Sequence, residues 1–173
     1  MDVATRSENR EGVASRMTST PRSHDFEAIF RDDGPGVWRA LFAYTGGRRD
    51  IADEAVAEAF ARAIAYTRGI RDPLAWIYRT AFRIAAEEMR RDTARTSEPD
   101  MTVEPPELGE LMRALRQLSP NQRAAIVLRF DEGLSVEEVA RRMGIVAPTV
   151  RVHIHRGRKR LRELLGDQEV DDA

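Results

Sequence analysis

Residues 135–165 read "SVEEVARRMGIVAPTVRVHIHRGRKRLRELL". Ser135 followed three residues later by Glu138 is a capping-box signature, because the Ser oxygen and the Glu carboxylate can each satisfy an orphan N–H of the first turn. The spacing predicts a helix from there to Met143, with Val136, Val139, Ala140 and Met143 turned inward. Gly144 suits a tight turn. A second helix is expected to begin near Val146–Pro148 and run to about Leu165. A short capped helix, a Gly turn and a longer basic helix together make a helix-turn-helix.

On the second helix, Val150, Ile154, Gly157 and Leu161 fall on one face, at helical spacing. That face must pack, and Gly157 would allow a close approach. The other side carries Arg151, Val152, His155 and Arg156, with Thr149 at its N-terminal edge. Arg clasps guanine bidentately in a major groove. Arg158, Lys159, Arg160 and Arg162 lie further along, where phosphate contacts position a protein without specifying sequence. A basic helix can also be the solvated face of a bundle. The capped helix and Gly turn ahead of it favour the duplex reading.

Other chemistries find little support. His153 and His155 point about 200° apart on a helix and do not share one ion easily. Glu87-Glu88 and Glu137-Glu138 are helix neighbours that diverge; Glu138 has its capping role, and Glu87 lies four residues from both Arg83 and Arg91. No Gly-rich phosphate loop and no nucleophile–His–acid arrangement occurs. No enzyme, cofactor, metal site or small-molecule substrate is expected.

The whole chain of 173 residues has a net charge of −1, so its basic segment is offset elsewhere. It has no Cys, which excludes disulfides and thiolate metal sites and fits a cytoplasmic location. No apolar run of about 18 residues and no signal-peptide core is present, so no membrane insertion is expected. Residues 1–22 are polar and aperiodic and are expected to be a disordered tail. Residues 92–107, "DTARTSEPDMTVEPPE", have the composition of a flexible acidic linker. Residues 167–173 form an acidic tail.

The expected fold is therefore all-α, with two small helical domains at 23–91 and 108–166. Four helices are predicted in the first: His24–Arg31, ended by Gly34-Pro35-Gly36; Val37–Tyr44, ended by Gly46-Gly47; Asp50–Tyr66; and Asp72–Arg91, with Asp72 as N-cap and Pro73 at the first helical position. The second domain adds Leu108–Leu118 and, after Ser119-Pro120, Asn121–Asp131, ahead of the helix-turn-helix.

Residues 118–165 resemble the promoter-binding domain, region four, of bacterial RNA polymerase sigma factors. "DIADEAVAEAFARA" (50–63) and "DPLAWIYRTAFRIAAEEMRR" (72–91) resemble region two of the small extracytoplasmic-function (ECF) group. The resemblance spans about 140 residues with both regions in order. It implies a sigma factor that binds core RNA polymerase and promoter DNA and is held by an anti-sigma factor. Asp53, Glu54, Ala57, Glu58 and Phe60 would contribute the polymerase contact. Arg68, Arg71, Trp76, Arg79 and Arg83 would face the single-stranded melting element. Thr149, Arg151, Val152, His155 and Arg156 would read the distal element, with Arg158, Lys159 and Arg160 on its phosphates. Ala57, Arg83 and Val146 stand where the family usually has Gln, Asn and Ser; the missing Ser would cost about 1 kcal/mol of capping. The alternatives are a helix-turn-helix regulator binding an operator, and a sigma-like interaction protein that does not initiate transcription.

Overall fold

The computed structural model describes residues 26–66, 69–93 and 106–166. The expected tails, most of the linker and Arg68 lie outside the described residues. Among the described residues every regular element is helical: α1 Phe26–Tyr44, α2 Arg49–Ala65, α3 Pro73–Thr93, α4 Pro106–Arg116, α5 Pro120–Ile126, a π-turn Val127–Asp131, α6 Val136–Met143 and α7 Ala147–Leu165. The all-α expectation holds. α3 and α4 each reach into the stretch expected as linker, to Thr93 and from Pro106.

The first half has three helices rather than four, because Gly34-Pro35-Gly36 does not break α1. An interior Pro removes one intrahelical bond and costs about 3 kcal/mol. Two local features and one global feature overcome that. The carbonyl that loses its partner belongs to Arg31, which is exposed to water. The flanking glycines leave room: a methyl group at Gly36 would lie 3.1 Å from Glu132 Oε2. Phe26 and Ile29 before the Pro pack on the same core as Val37, Leu41 and Tyr44 after it. Each large side chain buried contributes about 1.5–3 kcal/mol, so the shared core outweighs the lost bond.

α1 ends where expected. Gly46 has φ +67°, with Gly46 N–H bonded to Ala43 O at 3.0 Å and Gly47 N–H to Phe42 O at 2.9 Å. That nested pair is a Schellman stop. α2 buries its predicted stripe, Ala52, Ala55, Val56, Ala59, Phe60 and Ala63. α3 begins as foreseen, with the Asp72 carboxylate accepting from Ala75 N–H at 2.9 Å.

In the second half the expected helix to Asp131 is interrupted. After Ile126 the backbone widens into the π-turn, and Glu132 N–H bonds back to Val127 O at 3.2 Å. The wider turn keeps Val127 and Leu128 in the core while Phe130 stands half outside. α6 carries the predicted box: Ser135 N–H donates to Glu138 Oε2 at 2.8 Å, and Glu138 N–H to Ser135 Oγ at 3.2 Å. Gly144, at φ +70°, closes it, with Ile145 N–H bonded to Ala140 O at 3.1 Å.

The two halves pack on each other and their apolar residues form one cluster. Arg123 of α5 joins them, although it is only 6% exposed. It donates to Tyr44 O of the first half at 3.1 Å, and to Arg116 O and Leu118 O of the second at 2.7 and 3.0 Å. Its guanidinium lies 5.1 Å from the Tyr44 ring centroid.

Candidate nucleic-acid interface

α7 presents the two faces that its spacing predicts. Val150 and Gly157 are buried, and Ile154 and Leu161 are half-buried against the preceding helices. Gly157 is needed for that approach, since a methyl group there would meet Ile126 Cγ1 at 2.8 Å. Ile126 is itself buried and has little room to yield. The outward face carries Arg151, Val152, His155 and Arg156, all exposed, with Thr149 half-buried at the edge. Val152 is 45% exposed, an apolar side chain open to solvent among cations. A thymine methyl offers the kind of apolar contact such a residue can take.

Arg151 is steadied by Glu137 of α6 at 3.2 Å. Arg158 lies 5.8 Å from the Phe130 ring centroid, so the π-turn and α7 meet through a cation–π contact. Lys159 is exposed, and Arg160 pairs with Glu163 one turn on at 3.1 Å. Val146, the N-cap residue, has extended backbone but no side-chain bond to the first turn. The missing cap expected from the sequence is therefore present as a local defect. His153 is half-buried and His155 exposed.

In the first half the expected site residues fall on two surfaces. Asp53, Glu54 and Ala57 are exposed on α2, and Glu58 pairs with Arg62 at 2.7 Å. Phe60 differs: it is 4% exposed, with Phe30 set edge-on to it at 5.0 Å. Its place on the apolar stripe, at four-residue spacing from Val56, already pointed inward. Sequence reasoning missed the residues of α1 that complete this surface. Phe30 is 54% exposed, and Trp38 donates from Nε1 to Asp53 Oδ1 at 2.6 Å while stacking on Phe42. The break expected at Gly34 had separated these two residues onto different helices.

On α3, Arg71 precedes the helix and is exposed, and Trp76 is half-buried with its ring 5.8 Å from Tyr66. Arg79 and Arg83 are exposed one turn apart and line a groove of about 300 Å³ with Tyr44, Phe82, Asn121 and Met143. Arg79 Nη1 donates to Arg141 O of α6 at 2.9 Å. Arg142 reaches back to α3, with its guanidinium 5.1 Å from the Tyr78 ring centroid. Burial pushes the Tyr78 hydroxyl pKa up, aided by the nearby Glu132 charge. Glu132 sits at the same junction, and burial pushes its carboxyl pKa up as well. No sequence pattern marks Tyr78, Arg123, Glu132 or Arg142 as partners, because the pairs join residues far apart in the chain.

These features define a class: an all-helical protein with a helix-turn-helix whose second helix turns a basic face outward. Residues 108–161 match the family described as Sigma-70, region 4. RNA polymerase sigma factor CarQ of Myxococcus xanthus is 32% identical over 170 residues, covering 83% of this chain and 98% of that protein. ECF RNA polymerase sigma factor SigE of Mycolicibacterium smegmatis is 28% identical over 166 residues, and the match covers 86% of this chain and 64% of that longer protein. Among solved structures, sigma factor RpoE of Bartonella quintana, in complex with the anti-sigma factor NepR, shares the fold at a TM-score of 0.62. That match has 22% identity and covers 84% of this chain and 99% of that one. The chain belongs to the ECF group of RNA polymerase sigma factors. No helix among the described residues is long and apolar enough to cross a membrane.

Proposed function

We propose that this chain binds core RNA polymerase in the cytoplasm and directs initiation at promoters carrying two recognised elements. The observation that carries the reading is the outward face of α7. Arg151, Val152, His155 and Arg156 stand exposed on one side of a helix whose other side is packed by Val150 and Gly157. A helix anchored on one face and basic on the other can enter a major groove and place Arg forks at base edges. Lys159 and Arg160 then lie along the strand as phosphate contacts.

The first half supplies the other two activities. Asp53, Glu54, Ala57 and Glu58, with Phe30 and Trp38 beside them, offer an acidic and aromatic surface for the polymerase. Phe60 supports that surface from beneath. Arg71, Trp76, Arg79 and Arg83 combine cations with an aromatic ring, which is what capture of a single strand requires. Membership of the family makes an anti-sigma factor the expected regulator.

The test is to add the purified protein to sigma-free core polymerase and genomic DNA and to map transcript starts. Starts sharing two upstream elements are expected. Polymerase binding without transcripts would favour the non-initiating reading, and operator binding without polymerase the regulator reading. Arg156→Ala should impair recognition of the distal element while core binding persists. Loss of core binding instead would refute this division of labour.

A further inference from the structure

Val152 is 45% exposed, and its place on α7 singles it out. A lone apolar residue on a surface ordinarily carries no meaning. At about 100° of turn per residue, however, Val152 lies about 160° round the helix from Val150 and from Ile154, and about 180° from Leu161. Those three hold α7 to its neighbours. Val152 therefore marks the midline of the outward face, the line farthest from the core. Pro148 stands one turn before it. The other residues nearest to it on that face are polar or charged. Thr149 and His155 lie about 60° to either side, Arg156 about 40° away, and Lys159 about 20° away two turns on. His155, Arg156 and Lys159 are exposed as Val152 is.

When a helix held by one side enters a groove, its midline goes deepest. Side chains there meet base edges, and those on the flanks meet the sugar–phosphate walls. Val152 has no donor or acceptor to offer a base edge. It can only pack against an apolar group. Among the four bases only thymine presents one in the major groove, its C5-methyl. The branched side chain is also stiff: in a helix Val keeps essentially one χ1 rotamer, so its methyl groups are in place before DNA arrives. We infer that Val152 is a specificity-determining residue that seats the C5-methyl of a thymine, on either strand, in the middle of the distal element. A 5-methylcytosine at that position would be accepted for the same reason, since it carries the same methyl on the same edge. The inference rests on reading α7 as the helix that enters the groove, and the test separates the two.

The full chain is bound to core polymerase, and its promoters are taken from the transcript starts it gives. Their shared distal element should contain a T·A pair. Replacing each thymine of that element in turn by deoxyuridine removes one methyl and leaves every hydrogen-bonding group of the pair. At one position, promoter binding by the parent complex should weaken about fourfold, the value of roughly one buried methyl group. Val152→Ala is a change at an exposed position to a better helix former, so the variant should fold as the parent does. It should bind the thymine promoter about as weakly as the parent binds the uracil one. In the variant the uracil substitution should cost nothing more, because the methyl and the side chain act as a pair. Exchanging the T·A pair for C·G and then methylating that cytosine at C5 should recover a similar factor in the parent and none in the variant. An equal uracil penalty in parent and variant would mean that the methyl acts through groove shape and stacking rather than through Val152, which overturns the inference. A shared distal element without an A·T pair, or a parent indifferent to uracil at every thymine of it, overturns it as well. In those three cases α7 still stands as the reader. Absence of transcript starts, or starts with no shared distal element, counts against that reading itself, and the inference falls with it.

Discussion

Arg123 puts a positive charge in a place that water barely reaches, and burial depresses its pKa accordingly. What makes it tolerable is a set of neutral acceptors: three carbonyl oxygens, the Met89 sulfur and the face of Tyr44. Two of those carbonyls, Arg116 and Leu118, belong to the end of α4 and the turn after it, where helix oxygens lack internal partners. Truncation strands them, at about 1–3 kcal/mol for each acceptor left dry. Arg123→Ala should therefore cost about 2–4 kcal/mol in urea unfolding. Arg123→Lys should recover only part, because an ammonium cannot reproduce the planar fork. Glu132 carries the opposite problem. Its carboxylate is half-buried beside Asp131, Tyr78, Arg39 and Arg142, Oε1 has no hydrogen-bond donor, and desolvation holds its pKa above the ordinary range. A carboxyl raised in the folded state makes the folded state bind protons more readily than the unfolded one. Stability from this group is therefore gained as pH falls through the raised value toward the usual carboxylate range, and absent above it. Glu132→Gln should flatten that part of the stability–pH curve, measured by urea midpoints across mildly acidic to neutral pH. A slope unchanged by the substitution would show that another group is responsible.

At the level of elements, the helix ends divide into those built from side chains and those left bare. α6 begins with a complete box, and its hydrogen bonds from Ser135 lower the Glu138 pKa. Because that pKa is depressed, the contribution is present above the ordinary Glu value and disappears as pH falls through the folded one. Ser135→Ala should cost about 1 kcal/mol at neutral pH. α7 begins with Val146, whose backbone already has N-cap geometry at φ −86° and ψ 149°. Val146 is 66% exposed, so nothing packs against the methyl groups that a change would remove. Val146→Ser should therefore stabilise by about 0.5–1 kcal/mol, and a loss would mean that its side chain serves a purpose outside the fold. These ends were legible in the sequence because capping is local: Ser135, Glu138, Asp72, Gly46 and Gly144 all act within a few residues. The stripe of α2 and the two faces of α7 were legible for the same reason. Two elements were misjudged where distant packing overrode local preference. Pro35 sits inside α1 because Phe26 and Ile29 share a core with Leu41 and Tyr44. The π-turn after Ile126 has no local marker, and the burial of Val127 and Leu128 accompanies it.

At the level of the whole molecule, sequence spacing suggested two readers on a tether, whereas the halves meet through Arg123, Arg79, Arg142 and Glu132. Each of these residues has at least one partner 60 or more positions away, as in the Arg123–Tyr44, Arg79–Arg141, Arg39–Glu132 and Arg142–Tyr78 pairs, so no window of sequence could have paired them. Among the residues expected at the site, Phe60 turns inward, and Phe30 and Trp38 stand unforeseen beside Asp53 and its neighbours on α2; what also went unseen was that α3 and α6 share a surface. A joint core has a thermodynamic signature. Separate domains unfold in two steps, whereas halves coupled by burial unfold in one. The two Trp residues, Trp38 and Trp76, both lie in the first half, so their fluorescence reports on that half alone. Helical circular dichroism reports on both. In the parent chain the two urea transitions should coincide. In Arg123→Ala the bridge from α5 to Tyr44 is gone, and the dichroism curve should broaden or shift to lower urea while the fluorescence curve moves less. The second half then melts first, since it also loses the caps on the Arg116 and Leu118 carbonyls. Curves that separate already in the parent chain would mean the interface adds too little free energy to couple the halves. Curves that stay coincident in Arg123→Ala would place the coupling in the apolar contacts between α1, α3 and the second half rather than in the guanidinium.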